Sequence, residues 1–289
     1  MEKHNRVWLI TGASSGFGLA LAKAVLARGE RVAAVARRHE ALIELTKLAP
    51  DRSLALTADL NDPQARSVAV DQALSHFGRI DVLANIAGRG SLGAVEEFSP
   101  DQLRSQMEIN FFAAAELTRL LLPHMRANRS GHVLNLTSIG GLISIGGFGA
   151  YCASKFALEA WSEAFADEVA GFGIRVTLVE PGNFRTEFAG GANMRPAQSI
   201  DDYRPLIAPI EDFLYGQDGR QPGDPAKAAE AMMMVVEDKA PPRRLVLGSD
   251  AFAALDRIYD ARLADIARYR SVGEATAYPD AEIRPIGGA

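Results

Sequence analysis

At 289 residues the chain is long enough to bury a large core, and α/β folds of this length are commonly a single domain. With 48% hydrophobic and 23% charged residues it reads as a soluble globular protein, and its net charge of −5 argues against nucleic acid or an anionic membrane as principal partner. The single cysteine, Cys152, rules out an internal disulfide and points to a cytoplasmic setting; the apolar run at residues 7–10 is too short for a secretion signal or a membrane span.

Val7, Trp8, Leu9 and Ile10 predict a buried strand that leads into Thr11-Gly12-Ala13-Ser14-Ser15-Gly16-Phe17-Gly18, with a helix over residues 19–28 stopped by Gly29. Strand, glycine turn and helix open a βαβ unit, whose helix N-terminus directs unpaired N–H groups at whatever sits over the turn, typically a phosphate. The glycines are spaced G-x-x-x-G-x-G rather than G-x-G-x-x-G. A second buried strand, residues 31–36, ends in Arg37 and Arg38. Dinucleotide logic expects an acid here for a ribose 2′-hydroxyl or an arginine for a 2′-phosphate, so two arginines favour NADP(H) over NAD(H). The bland alternative is a solvated basic turn.

The alternation continues with a helix over about 39–48, a strand at 53–57 leading to Ala58, Asp59 and Leu60, and a helix capped by Asn61 or Asp62 with Pro63 in its first turn. A strand at 82–84 runs into Asn85-Ile86-Ala87-Gly88, and no hairpin signal interrupts the series. The sheet is therefore predicted to be parallel and doubly wound, of about seven strands. Ser99 and Pro100 start a long helix to about Arg126 with Asn110 in its middle, where an inward-facing Asn needs hydrogen-bond partners.

A strand at 132–136 delivers Thr137 and Ser138 to its C-terminal end, where open α/β sheets place ligands. Tyr151 and Lys155 come next on a predicted helix, four residues apart and so on one face. At about 4 Å and an effective dielectric near 20, the ammonium would favour the phenolate by roughly 4 kcal/mol, tuning the phenol toward neutrality as a general acid/base. Ser138 can offer a hydroxyl to the same oxygen. After a strand at 175–179 and Glu180-Pro181-Gly182, residues 183–224 are rich in Pro, Gly and scattered large apolar side chains, the composition of a lid with short helices. A helix capped by Asp224, a strand at 244–247 and a helix over about 250–270 complete the domain, and the tail 271–289 is expected to pack loosely or cover a neighbour. The five histidines (His4, His39, His76, His124, His132) show no metal-ligand spacing.

In this order the motifs resemble the short-chain dehydrogenase/reductase family in its single-domain branch, over roughly residues 5–250. The resemblance rests on Thr11-Gly12-x-x-x-Gly16-x-Gly18, Asp59, Asn85-x-Ala87-Gly88, Asn110, Ser138, Tyr151-x-x-x-Lys155 and Pro181-Gly182. It implies that Tyr151 is the acid/base, that Ser138 orients the substrate carbonyl, that Lys155 lowers the phenol pKa and holds the nicotinamide ribose, and that Asn110 anchors a water in a proton relay. It further implies that Gly12, Ser14, Gly16, Phe17 and Gly18 form the coenzyme turn and that Asp59 and Leu60 face the adenine. Asn85, Ala87 and Gly88 would line the cofactor, Pro181, Gly182 and Thr186 would lie at its nicotinamide end, and Arg37 with Arg38 would meet the 2′-phosphate. The chain departs from the family in carrying Ile86 for a second Asn, Ala113 for a Gly, and no basic residue at Ser15.

The resemblance implies reversible reduction of a ketone or aldehyde by NADPH; the alternative from another class is an NADP(H)-binding sensor without turnover, which has no need for the full Asn110, Ser138, Tyr151 and Lys155 set. An enoyl reductase of the same fold is disfavoured by the short Tyr–Lys interval, and a sugar epimerase by the glycine spacing. Pocket walls at residues 89–95, 139–148 and 188–215 are mostly apolar, which favours a bulky hydrophobic carbonyl or alcohol as in the hydroxysteroid and retinol dehydrogenase relatives. A homodimer or homotetramer built on the helices of Asn110 and Tyr151 is the family expectation.

Overall fold

The computed structural model of the protein describes residues 5–190 and 193–282. Residues 1–4, Gly191 and Ala192 of the expected lid, and 283–289 of the expected tail lie outside the described residues.

Seven strands form one sheet of order β3-β2-β1-β4-β5-β6-β7, every neighbouring pair parallel. Chain order supplies β1 (Val7–Thr11), α1 (Gly16–Ala27), β2 (Arg31–Ala36), α2 (His39–Thr46), β3 (Ser53–Thr57), α3 (Pro63–Phe77), β4 (Val82–Asn85), α4 (Pro100–Met107) and α5 (Ala113–Ala127). Then come β5 (Gly131–Leu136), α6 (Gly149–Val169), β6 (Ile174–Pro181), α7 (Arg204–Gly216), α8 (Pro225–Glu237), β7 (Arg244–Leu247), α9 (Ser249–Arg268) and α10 (Arg270–Glu274).

Both faces of the sheet are covered, so its strands are mostly apolar runs rather than a regular apolar–polar alternation. Along β1, Trp8 and Ile10 pack with α1, α2 and α8 residues such as Leu21, Leu42 and Met232. Val7 and Leu9 point the other way, to Ala69 of α3, Leu117 of α5 and Phe165 of α6. These four β1 side chains have no exposed surface.

The helices begin where local chemistry satisfies their first N–H groups. Asp62 accepts from the Gln64 amide at 2.9 Å, with Pro63 in the first turn, and Gly78 closes α3 in the left-handed region at φ 73. Ser99 and Gln102 cap α4 reciprocally, and Asp224 caps α8 through the Ala226 amide. The long helix expected between Ser99 and Arg126 is instead two helices joined by a wider π-type turn at Glu108–Phe112, with Asn110 at its centre. The extra residue in that turn lets the Asn110 side chain point inward and shifts the register of α5. The last helix also divides, at Tyr269 between α9 and α10. Segment 183–224 contains two short 3₁₀ turns and α7.

Between β1 and β4 the strand order reverses, so the loops after these two strands leave on opposite faces and open a crevice at the C-terminal edge.

His132 on β5 is 4% exposed. Its Nε2 lies 3.0 Å from the Thr177 hydroxyl. That hydroxyl donates to the Pro242 carbonyl, so Nε2 carries the hydrogen. Nδ1 has no partner. Burial, reinforced by Arg175 and Arg6, pushes the imidazole down to about 3. The folded state therefore resists a proton that the unfolded chain accepts near 6.5, and stability present above that pH is lost as pH falls toward 3. Urea unfolding of the wild type and His132→Gln across pH 6 to 4 is expected to show the wild type losing about 1.4 kcal/mol more per pH unit. Parallel curves would remove His132 as an acid-sensitive group.

Candidate active site

The crevice is held by one buried hydroxyl. Thr11 donates to the Ala84 carbonyl at 3.3 Å and accepts from the amides of Ile86 and Ala87 at 2.9 and 3.0 Å, tying the loop after β1 to the loop after β4. Gly12 and Gly16 take φ +67 and +50, which side-chain-bearing residues rarely adopt. A Cβ on Gly18 would stand 2.3 Å from the Gly12 carbonyl oxygen, so the turn closes only with glycine there. Helix α1 starts at Gly16, and the side chain of its N-cap Ser15 makes no capping bond. Its first N–H groups are thus available to a phosphate, and the cradle fits a dinucleotide's pyrophosphate.

Beside this turn the structure gathers the four candidate catalytic residues. Ser138 follows β5, 7% exposed, and its Oγ accepts from the Gly140 amide at 3.0 Å. Tyr151 and Lys155 lie on the first two turns of α6, 8% and 4% exposed. Lys155 Nζ donates to the Leu136 carbonyl at 2.8 Å and stands 6.0 Å from the Tyr151 ring centroid. Asn110 Oδ1 accepts from the Arg89 amide at 2.9 Å, while its Nδ2 donates to the Arg89 carbonyl at 3.0 Å and to Ser154 Oγ at 2.9 Å. A Cβ on Gly88 would lie 3.0 Å from Asn110 Oδ1 and 3.5 Å from Lys155 Nζ, so these three residues share one neighbourhood.

The electrostatics correct one expectation. Burial pushes the Tyr151 phenol above its ordinary value, and the Ser138 hydroxyl pulls it back only in part. Lys155 does not bring the phenol toward neutrality in the ligand-free chain: its ammonium is directed at the Leu136 carbonyl, and burial pushes Lys155 itself down to about 8, against a raising influence from Glu159. Tyr151 therefore holds its proton at neutral pH. Beyond Lys155, Arg244 clasps Glu159, Glu163 and Glu180. Burial and the neighbouring Glu159 push the Glu180 carboxyl up to about 8.

The expected coenzyme-lining residues divide. Asn85 is 4% exposed, and its Nδ2 donates to Asn135 Oδ1 at 2.8 Å, Thr118 Oγ1 at 3.2 Å and the Ala114 carbonyl at 3.3 Å. Leu60 is a core side chain, so only its backbone can meet a ligand. Asp59 is exposed and accepts from the amide and side chain of Asn61. Pro181 is buried, and a Cβ on Gly182 would meet Asp250 Oδ2 at 2.5 Å. Gly182 therefore makes room for the Asp250 carboxylate, which accepts from the Asn183 amide.

Thr186 lies against Gly16, at 3.3 Å from where its Cβ would be, and Phe17 packs on Phe184 at 5.1 Å between centroids. Arg37 is exposed and close enough to Arg89 to depress its pKa, though burial is the larger cause. Arg38 donates to Ser14 and grips the Glu187 carboxylate with both terminal nitrogens, at 3.3 and 3.0 Å. A guanidinium that holds a bidentate oxyanion at the end of β2 fits a phosphate as well.

Thr11, Asn135, Ser154 and Glu187 are site or framework residues absent from the expected site residues, whereas Arg89 and Phe188 fall at the ends of the expected pocket walls. Thr11 and Arg89 adjoin recognisable motifs, whereas Asn135 and Ser154 look like ordinary strand and helix residues until their partners are known. Glu187 is 149 positions from Arg38, and only folding brings them together.

Comparison with known proteins accords with this geometry. A profile for short chain dehydrogenase matches residues 6–196. The chain is 34% identical over 273 residues to oxidoreductase BOA17 of Botryotinia fuckeliana, covering 94% of this chain and 99% of that protein. It is 36% identical over 245 residues to 3-ketodihydrosphingosine reductase of Bacteroides thetaiotaomicron, covering 84% and 88%. Among solved structures, a short-chain dehydrogenase from Streptomyces avermitilis is 44% identical with a TM-score of 0.89, over 96% of this chain and all of that one. With a seven-stranded parallel sheet, a glycine turn at its switch point and Ser138, Tyr151 and Lys155 beside it, the chain belongs to the short-chain dehydrogenase/reductase family, oxidoreductases acting on CH–OH groups with NAD(P).

Proposed function

We propose that the protein is an NADP(H)-dependent oxidoreductase that interconverts a hydrophobic ketone or aldehyde and its alcohol, with Tyr151 as acid/base. The observation that carries this reading is the convergence of Ser138, Tyr151, Lys155 and Asn110 beside a glycine turn whose far side presents Arg38. When bound, the nicotinamide coenzyme supplies or accepts the hydride. In the reducing direction negative charge grows on the carbonyl oxygen; Ser138 donates a hydrogen bond to it and Tyr151 gives up its proton. Burial makes the phenol a proton holder at neutral pH, and in this reading the ammonium of Lys155, 6.0 Å from the ring centroid, stabilises the phenolate left behind. Asn110 is fixed by hydrogen bonds to Arg89 and Ser154, and in this reading it anchors a water that links Lys155 to a proton relay.

In this reading Gly12, Ser14, Gly16, Phe17 and Gly18 cradle the pyrophosphate, Asp59 and the Leu60 backbone face the adenine, Ala87 and Gly88 line the coenzyme, and Pro181, Gly182 and Thr186 bound its nicotinamide end. Arg37 and Arg38 take the 2′-phosphate. Segment 183–224 acts as a lid over the substrate. A hydrophobic substrate is supported by the walls: Gly147 sits against Leu92, Ile207 and Ile210, and Gly146 against Leu206, so lid and loop meet on apolar side chains. The reductase from Bacteroides thetaiotaomicron carries a ketone substrate in its name. A homodimer or homotetramer is supported by Phe112 and Leu120 near and on α5 and Phe156 on α6, each 36% exposed or more. A cytoplasmic setting accords with the free, buried Cys152. Among the described residues no helix is long and apolar enough to cross a membrane.

Coenzyme oxidation against a panel of ketones tests the reading. NADPH turnover on bulky apolar ketones is the expected result; tight coenzyme binding without turnover on any ketone would favour a sensor. Tyr151→Phe is expected to lower turnover between about 10² and 10⁴-fold while leaving coenzyme affinity within about threefold. Retained activity would remove Tyr151 from its role. Arg37→Ala with Arg38→Ala is expected to weaken NADPH by about tenfold or more and NADH little, since only the former loses charge-assisted hydrogen bonds. Equal weakening of both coenzymes would defeat the 2′-phosphate assignment.

A further inference from the structure

The guanidinium assigned to the 2′-phosphate is already engaged by an anion of the chain itself. Arg38 Nε donates to Ser14 Oγ at 3.2 Å, and one terminal nitrogen donates to the Ser14 carbonyl at 3.2 Å. The same nitrogen reaches Glu187 Oε2 at 3.0 Å, and the other reaches Oε1 at 3.3 Å. The end-on fork that would receive a dianion is thus turned to a carboxylate, and the guanidinium's other edge, Nε with one terminal nitrogen, is taken by Ser14. The neighbours of Glu187 are seated as well. Thr186 lies against Gly16 of the phosphate turn, and the Phe188 ring stands edge-on to Tyr151 at 5.2 Å between centroids. Three consecutive residues therefore span from the phosphate turn to the reacting phenol, and Glu187 anchors them at the adenosine end.

We infer that Glu187 is a selectivity-determining residue, an internal carboxylate that competes with the coenzyme's 2′-phosphate for Arg38 and ties the Thr186–Glu187–Phe188 strap to that end of the crevice. The inference rests on the NADP(H) reading. A coenzyme with the 2′-phosphate displaces Glu187 and loosens the strap over Tyr151; one with a bare 2′-hydroxyl leaves the ion pair in place. Side-chain exposures of 50% for Arg38 and 58% for Glu187 make the pair a modest barrier, one that tunes selectivity rather than abolishing binding. Arg37, the adjacent exposed cation, is not held by Glu187 in this arrangement and adds attraction for either anion.

The test uses adenosine 2′,5′-bisphosphate and 5′-AMP, which differ only in the 2′-phosphate, titrated calorimetrically into the full chain. Glu187→Gln, a surface change, is expected to tighten the bisphosphate about two- to fivefold and leave 5′-AMP unchanged. Deuterium exchange at the amides of residues 186–189 is expected to quicken in the wild type with the bisphosphate and not with 5′-AMP. An unchanged affinity ratio in Glu187→Gln, or exchange indifferent to the 2′-phosphate, overturns the inference. Arg38→Ala separates the two claims. A selective loss of the bisphosphate there, with Glu187→Gln silent, leaves the NADP(H) reading standing and removes only Glu187. No selective loss in Arg38→Ala removes the NADP(H) reading itself.

Discussion

The structure depends on the reversal of strand order between β1 and β4. Everywhere else in a parallel sheet covered on both faces, the connections leave each strand end already filled. Here two loops part company, and backbone N–H groups at the start of α1 are left facing a gap. The Thr11 hydroxyl prevents the gap from widening, since its three hydrogen bonds reach a strand carbonyl and two amides of the opposite loop. The glycines keep it from filling: a side chain on Gly18 would collide with the Gly12 carbonyl, and one on Gly88 would crowd Asn110 and Lys155.

Burial governs the chemistry beside that gap. The hydroxyl of Ser138 favours phenolate, yet desolvation of Tyr151 outweighs it in the ligand-free chain. The same desolvation lowers Lys155 to about 8, so the pair resists separating its charges until something polar enters the site. Glu159, one turn beyond Lys155, opposes that loss of charge and is itself held by Arg244. The site is a buried acid whose cation partner is maintained by carboxylates behind it, and its geometry is set by α6, β5 and the π-type turn rather than by a mobile loop.

Segment 184–190 touches every part of the crevice. It touches the phosphate turn through Phe184 and Thr186, the basic corner through Glu187 and the phenol through Phe188. Each contact is replaceable by a part of a dinucleotide or substrate of similar chemistry: phosphate for carboxylate, nicotinamide or substrate for phenyl.

By itself the sequence determined the architecture and pointed to a candidate cluster. Continuous apolar strands, capped helices and glycine punctuation are local signals, and each strand end then places its motif at one edge of the sheet. Ser138, Tyr151 and Lys155 were legible because short range sets their spacing: four residues on a helix, and a strand end in the neighbouring unit. Tertiary structure decided everything that depends on partners far apart in the chain. The inward Asn110 called for partners, but the wider turn that supplies them arises from Arg89 and Ser154 arriving from two other elements. Asn85 sits in a coenzyme motif, yet Asn135, Thr118 and Ala114 claim its amide. The phenol's protonation is set by burial, a property of the packed protein that pair spacing does not contain. The Arg38–Glu187 pair, bridging 149 positions, exists only because the fold returns the segment after β6 to the end of β2.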